Sequence, residues 1–213
     1  MYPLVAEALS ARAIGHAVAG EFEDERATHV ARLVVAREHG DVARTADALV
    51  VLAEIALDEA DGATARAYAE EALTIAQPGL PVEAREALIA LSRAQLTEGD
   101  PTGATRTLEQ AYEAAEKIGQ KLALAQCYRV AGCLAAARGD AASAVRLFAA
   151  AQRVEPSPSG TDDPIEGDLA GGLDAARSSL GPEGFAREWT VGSALPSSRV
   201  RELLHQVTSA VTA

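Results

Sequence analysis

KLALAQCYRVAGCLAAARGDAASAVRLFAAAQRVEP, residues Lys121 to Pro156, decides the fold class. It holds an apolar helical segment, a turn at Gly139-Asp140, and a second apolar helical segment closed by Pro156. Ala144 follows the turn Asp at four residues, and Ala151 lies seven further on. Small side chains at such offsets let two helices approach closely.

The same design stands twice upstream. VARTADALVVLAEIALDEADGATARAYAEEALTIAQP starts at Val42, and PVEAREALIALSRAQLTEGDPTGATRTLEQAYEAAEKIGQ starts at Pro81. Their turns fall at Asp61-Gly62 and Gly99-Asp100, followed by Ala65 and Ala72 in one and Ala104 and Ala111 in the other. Residues 1–40 fit a fourth, degenerate pair with a turn at Gly20-Glu21. Pro78, Pro81, Pro101 and Pro156 all fall at expected helix ends or first turns. The expectation is an all-α chain of three to four helical hairpins over residues 1–156.

The segment from Lys121 resembles a tetratricopeptide repeat, whose pattern runs W-x2-L-G-x2-Y, then A-x3-F, then P. Tyr128, Ala131, Gly132 and Ala135 stand for the first part, and Ala144, Phe148 and Pro156 for the rest. The resemblance implies a tetratricopeptide-like solenoid, with longer helices because the spacing is near 40 rather than 34. Such solenoids expose a concave surface and need caps at their ends.

After Pro156 the texture changes. Residues 157–164 read as a loop rich in Pro, Ser, Gly and Asp. Asp163, Pro164 and Glu166 signal a helix start, placing capping helices over 165–213. One helix carries Gly171 and Gly172, a short one runs from Pro182 to about Val191, and an amphipathic one from about Ser198 to Val211. Val200, Leu203, Leu204, Val207 and Val211 form the apolar face of the last. Pro196 cannot cap that helix, so the cap shifts to Ser197 or Ser198.

The run Leu180-Gly181-Pro182-Glu183, Phe185-Ala186, Trp189, Gly192, Ala194-Leu195 resembles the closing segment of large bacterial ATPase-type transcriptional regulators, LuxR-type and AfsR-like, and related signalling proteins. The resemblance covers about residues 120–211. It implies a non-enzymatic interaction and regulatory module that binds a partner protein or peptide in its concave groove. The alternative it implies is a small-molecule effector (inducer) sensor, since some members recognise an inducer in the helical-repeat region. The phosphate loop of their ATPase module has no counterpart here, which argues against ATP hydrolysis by this chain.

Composition narrows the classes. A net charge of −12, with 19 basic residues of which two are Lys (Lys117, Lys121), argues against a nucleic-acid surface. No apolar run approaches the ~20 residues a membrane span needs. Cys127 and Cys133 lie on different faces of one helix, too few for zinc and poorly set for a disulfide, which fits a cytoplasmic protein. The acidic run Glu21, Glu23, Asp24, Glu25 reads as helix-start electrostatics. No catalytic, cofactor or metal spacing is found, and a homodimer is compatible with the pattern.

The repeat register places Asp47, Val50, Glu54, Asp58, Glu86, Ile89, Arg93, Gln126, Arg129 and Cys133 on the concave face. Arg93 and Arg129 either pair with Glu54 and Glu86 across neighbouring helices or hold a carboxylate or phosphate. Phe185 and Trp189, four apart on one face, are expected to plug the last hairpin. An exposed apolar face on residues 4–18 would mark a surface that a preceding repeat covers.

Overall fold

The computed structural model describes residues 2–76, 79–155 and 169–209. Among these the chain is all-helical, without a strand. The helices are α1 (Tyr2–Ala19), α2 (Phe22–Glu38), α3 (Val42–Asp58), α4 (Gly62–Ala76), α5 (Pro81–Thr97), α6 (Pro101–Ile118), α7 (Lys121–Ala137), α8 (Ala141–Val154), α9 (Ala170–Ala194) and α10 (Ser197–Ser209). The expected turns fall between helices, and residues 1–40 do form a helical pair.

The turns share one construction, and its cadence is nearer 20 residues than 40. Gly20, Gly40, Ala60, Gly99 and Gly139 all have positive φ, between 58° and 81°. The residue after each sends its N–H back to the carbonyl five before it, at 2.8–3.0 Å. Such left-handed C-caps satisfy carbonyls that a helix end leaves open. That following residue is Asp at four of the five turns. Asp41, Asp61, Asp100 and Asp140 each accept an N–H three residues on, from Arg44, Thr64, Gly103 and Ser143. One two-residue signal therefore ends one helix and starts the next.

The chain divides into two compact units, residues 1–94 and 95–213, with the division inside α5. In the second unit the tail packs on the helices before it: α9 on α7 and α8, and α10 on α6, α7 and α8. In the first unit α1 packs on α2, α2 on α3 and α3 on α4. Leu49, Leu52, Ala53 and Leu57 of α3 form its centre, closed by Ala65, Ala69 and Ala72 of α4.

In the second unit the fully buried large side chains are Leu108, Tyr112, Val130, Leu134, Val145, Leu147, Phe148, Leu173, Val200 and Leu204. Ala65, Ala72, Ala104, Ala111, Ala144 and Ala151 are all completely buried. The small residues at fixed offsets are thus the ones that helices close upon. Gly132 serves likewise, since a Cβ there would stand 3.0 Å from the Phe148 ring.

The tail agrees with its sequence reading at the helix break and adds two features to it. The expected break between two helices is present inside α9, whose two arms meet at Gly181 (φ 67°, ψ 173°) ahead of Pro182. Gly172 is a close-packing position: a Cβ there would lie 2.7 Å from the Cys133 sulfur and 3.1 Å from its Cα. The α10 helix starts at Ser197, and the Pro196 carbonyl accepts from Arg199 and Val200 at 2.9 and 3.1 Å. Ser197 and Ser198 therefore sit in the first turn. Val200, Leu204 and Val207 are buried as expected, with Leu203 half-buried. The loop over 157–164, the Asp163 cap with Pro164 and Glu166, and Val211 lie outside the described residues.

Candidate functional site

The ten concave-face candidates fall in different units. Asp47, Glu54 and Asp58 are on α3 and Glu86 and Arg93 on α5, within residues 1–94. Val50 and Ile89 are buried, which makes them core positions. Around them runs a band of charges. Arg32 of α2 reaches Asp47 at 2.6 Å, and Arg93 stands 3.7 Å from Glu54. Glu86 is held by its chain neighbour Arg85, at 2.6 Å. Burial pushes the Glu86 carboxyl up, with Asp47 and Glu83 adding to it and Arg85 opposing.

His29 belongs to this band and had no sequence signal. It is only 6% exposed, and its Nδ1 lies 2.7 Å from Arg32. Burial, with Arg32 beside it, lowers its pKa to about 4. It is a neutral imidazole, and neutral Nδ1 accepts from the guanidinium.

Gln126, Arg129 and Cys133 lie on α7 in the second unit. Arg129 pairs with Glu155 at 2.9 Å. Cys133 is half-covered by the start of α9, its sulfur 3.5 Å from the Leu169 carbonyl. Of the ion pairs expected from sequence, the one between Arg93 and Glu54 is present.

Phe185 and Trp189 do meet, with ring centroids 5.4 Å apart, and Arg177 lies over the Phe185 ring at 4.9 Å. Both rings are half-buried. The face of α9 that enters the core carries Leu173 and Ala176 before the kink, then Glu188 and Gly192. Gly192 lets α9 lie close against α8. A Cβ on Gly192 would stand 2.5 Å from the Arg146 carbonyl oxygen.

A cleft of about 520 Å³ opens in the second unit. It lies at one end of the packing, where α6 and α8 finish and α7 and α10 begin. Tyr112, Tyr128, Leu124 and Val154 form its apolar walls, and Lys121, Arg153 and Arg201 bring positive charge. The Tyr112 hydroxyl donates to Glu116 at 2.7 Å. Arg201 pairs with the same carboxylate at 2.5 Å and reaches the Tyr112 oxygen at 3.4 Å. Burial raises both tyrosine pKa values, so both remain phenols. Lys121 and Arg153 make no ion pair among the described residues. The only sequence hints were two of four Tyr and one of two Lys in an aromatic-poor chain.

The donor atoms of His16, Glu21 and Asp24 lie within 4.8 Å of one another at the start of α2. His16, in the last turn of α1, pairs with Glu21 at 2.6 Å, and Glu21 and Asp24 sit at the start of α2, where negative charge is favoured. Among the described residues, no helix is long and apolar enough to cross a membrane. No protein-family model and no curated protein matches the sequence.

Proposed function

We propose that this chain is a tetratricopeptide-like, non-enzymatic interaction module of a bacterial signalling or transcription-regulatory system. The tandem helical pairs and the two resemblances support that reading. The observation that carries it is the outer face of α1. Leu4, Glu7, Ala11, Ile14 and Val18 follow one another at spacings of 3 and 4 and share one face. Leu4 is 70%, Ile14 66% and Val18 85% exposed. A helix that is apolar nearly all round is normally covered on all sides.

Its occupant in this reading is an apolar-faced helix of a partner protein. That choice follows the packing of the first unit, where each of α1 to α3 is covered by the next helix. The concave charges serve less well, since Arg32, Arg93 and Arg129 already face carboxylates.

Panning a displayed library of amphipathic helices tests this. Selected helices should bind at least about tenfold more weakly to Leu4→Lys/Val18→Lys, a loss of ~1.4 kcal/mol. Thermal unfolding of the variant should be unchanged. Helices that bind both forms equally would place the partner surface elsewhere. A wild-type dimer abolished by the two lysines would make the occupant a second copy.

A small-molecule sensor is the second reading, favoured by the cleft beside Tyr112 and Tyr128. Its volume falls within the roughly 300–1,000 Å³ of ligand pockets.

A further inference from the structure

We propose that the cleft between the ends of α6, α7, α8 and α10 binds a small organic phosphate that carries a flat ring. This rests on the sensor reading and names its ligand class. It is independent of the partner helix on α1.

Charge argues for an anion. The chain carries 31 acidic residues against 19 basic, and most arginines of the described part already face a carboxylate. Lys121 and Arg153 are exceptions among the described residues, and both line the same cleft. They come from different helices, the first residue of α7 and the penultimate residue of α8. Arg201, the third cation, is held in place by Glu116 and Tyr112. Two positive charges without an ion pair among the described residues match a phosphomonoester, which carries about −1.5 to −2 at neutral pH.

The α10 helix adds donors. Its first N–H groups, at Ser197 and Ser198, have no intrahelical acceptor, and Pro196 before them has no side-chain oxygen to cap them. Both serines line the cleft. Lys supplies a point charge and Arg a planar fork, a pairing suited to phosphate.

The walls argue for a ring. Tyr112 and Tyr128 are buried beneath the cleft, 1% and 3% exposed, so only their edges reach its floor, with half-buried Leu124 and Val154 alongside as an apolar base on which a ring can lie. Aromatic walls with a few fixed polar groups bind flat ligands in defined orientation. About 520 Å³ accommodates one ring, a sugar-sized spacer and one phosphate.

Titration calorimetry with AMP, GMP, CMP and UMP tests the proposal. The parent nucleosides, inorganic phosphate and neutral sugars are the controls. At least one monophosphate should bind at about 0.1 mM or tighter, and its nucleoside at least about tenfold more weakly. Lys121→Gln/Arg153→Gln should weaken the monophosphate about tenfold or more, as should Ser198→Glu. All three positions are exposed, and a carboxylate in the first turn of a helix favours folding.

No binding of any monophosphate at about 1 mM overturns the proposal. Equal binding to wild type and both variants overturns the site. Inorganic phosphate binding as tightly as the nucleotides overturns the ring. A neutral sugar that binds where the monophosphates do not overturns the phosphate, while leaving the sensor reading in place.

Discussion

Arg146 of α8 and Glu188 of α9 meet at 2.6 Å, with the Glu188 carboxylate buried and Arg187 on its other oxygen at 3.0 Å. Bonds from Arg146 and Arg187 hold the Glu188 carboxyl below the usual glutamate range. Its contribution is present above the ordinary glutamate pKa and is lost as pH falls through the lowered folded value. Glu188→Gln should destabilise the protein by about 1–2 kcal/mol at neutral pH, less than a fully buried pair, because Arg146 is partly solvated. Chemical unfolding at pH 7 and pH 3.5 should show the difference shrinking at the lower pH.

The same junction makes a steric prediction that runs against helix propensity. Gly→Ala in a helix interior normally adds ~1 kcal/mol. Gly171 has open space around it, so Gly171→Ala should follow that rule and raise the melting temperature. Gly172→Ala and Gly192→Ala should each lower stability by about 1–3 kcal/mol, since their Cβ atoms would strike Cys133 and Arg146. Three melting curves decide it, and a stable Gly192→Ala protein would contradict the α8–α9 contact.

His29 gives the first unit an acid limit. Its folded pKa is lowered to about 4. The unfolded chain therefore takes up a proton first as pH falls below about 6.5. Stability is full above that value and is lost between about 6.5 and 4, by up to roughly 3 kcal/mol if the burial persists. His29→Gln should flatten that slope. NMR should show the His29 ring neutral at pH 5, and a ring titrating near 6.5 would remove the basis for the slope.

Ala60 is the one non-glycine at positive φ among the described residues, at 58°. Its counterparts in the other turns are glycines. Ala60→Gly should therefore stabilise the α3–α4 turn by about 0.5–1 kcal/mol, the reverse of the usual helix trend. Asp61→Ala, beside it, should cost about 1 kcal/mol by removing the cap on Thr64. Denaturant midpoints of the two variants should move in opposite directions.

The helices and their turns were legible because both signals are local. Gly-Asp and the spaced alanines state where a helix ends and which side it packs. The 20-residue cadence is harder to see, because Gly40-Asp41 lies between pairs rather than within one. The close approach at Gly192 is not legible in the sequence, because it depends on the neighbour across the contact. The burial of Val50 and Ile89 is not legible, because the register alone does not say which face the next helix covers. The cleft was not legible at all. Lys121, Tyr128, Arg153 and Arg201 are spread over 80 residues, and only the packing of four helix ends gathers them.

The bend at Gly181 has a kinetic corollary. Gly181 leaves helical geometry, and Pro182 brings no amide hydrogen to the ladder. Cooperative opening passes along a helix through consecutive bonds, and here the sequence of bonds is cut. Deuterium should therefore enter α9 as two populations. The arm anchored by Leu173 and Ala176 would keep one clock, and the arm anchored by Glu188 and Gly192 another. The bend in space would then divide one helix into two separately breathing segments in time.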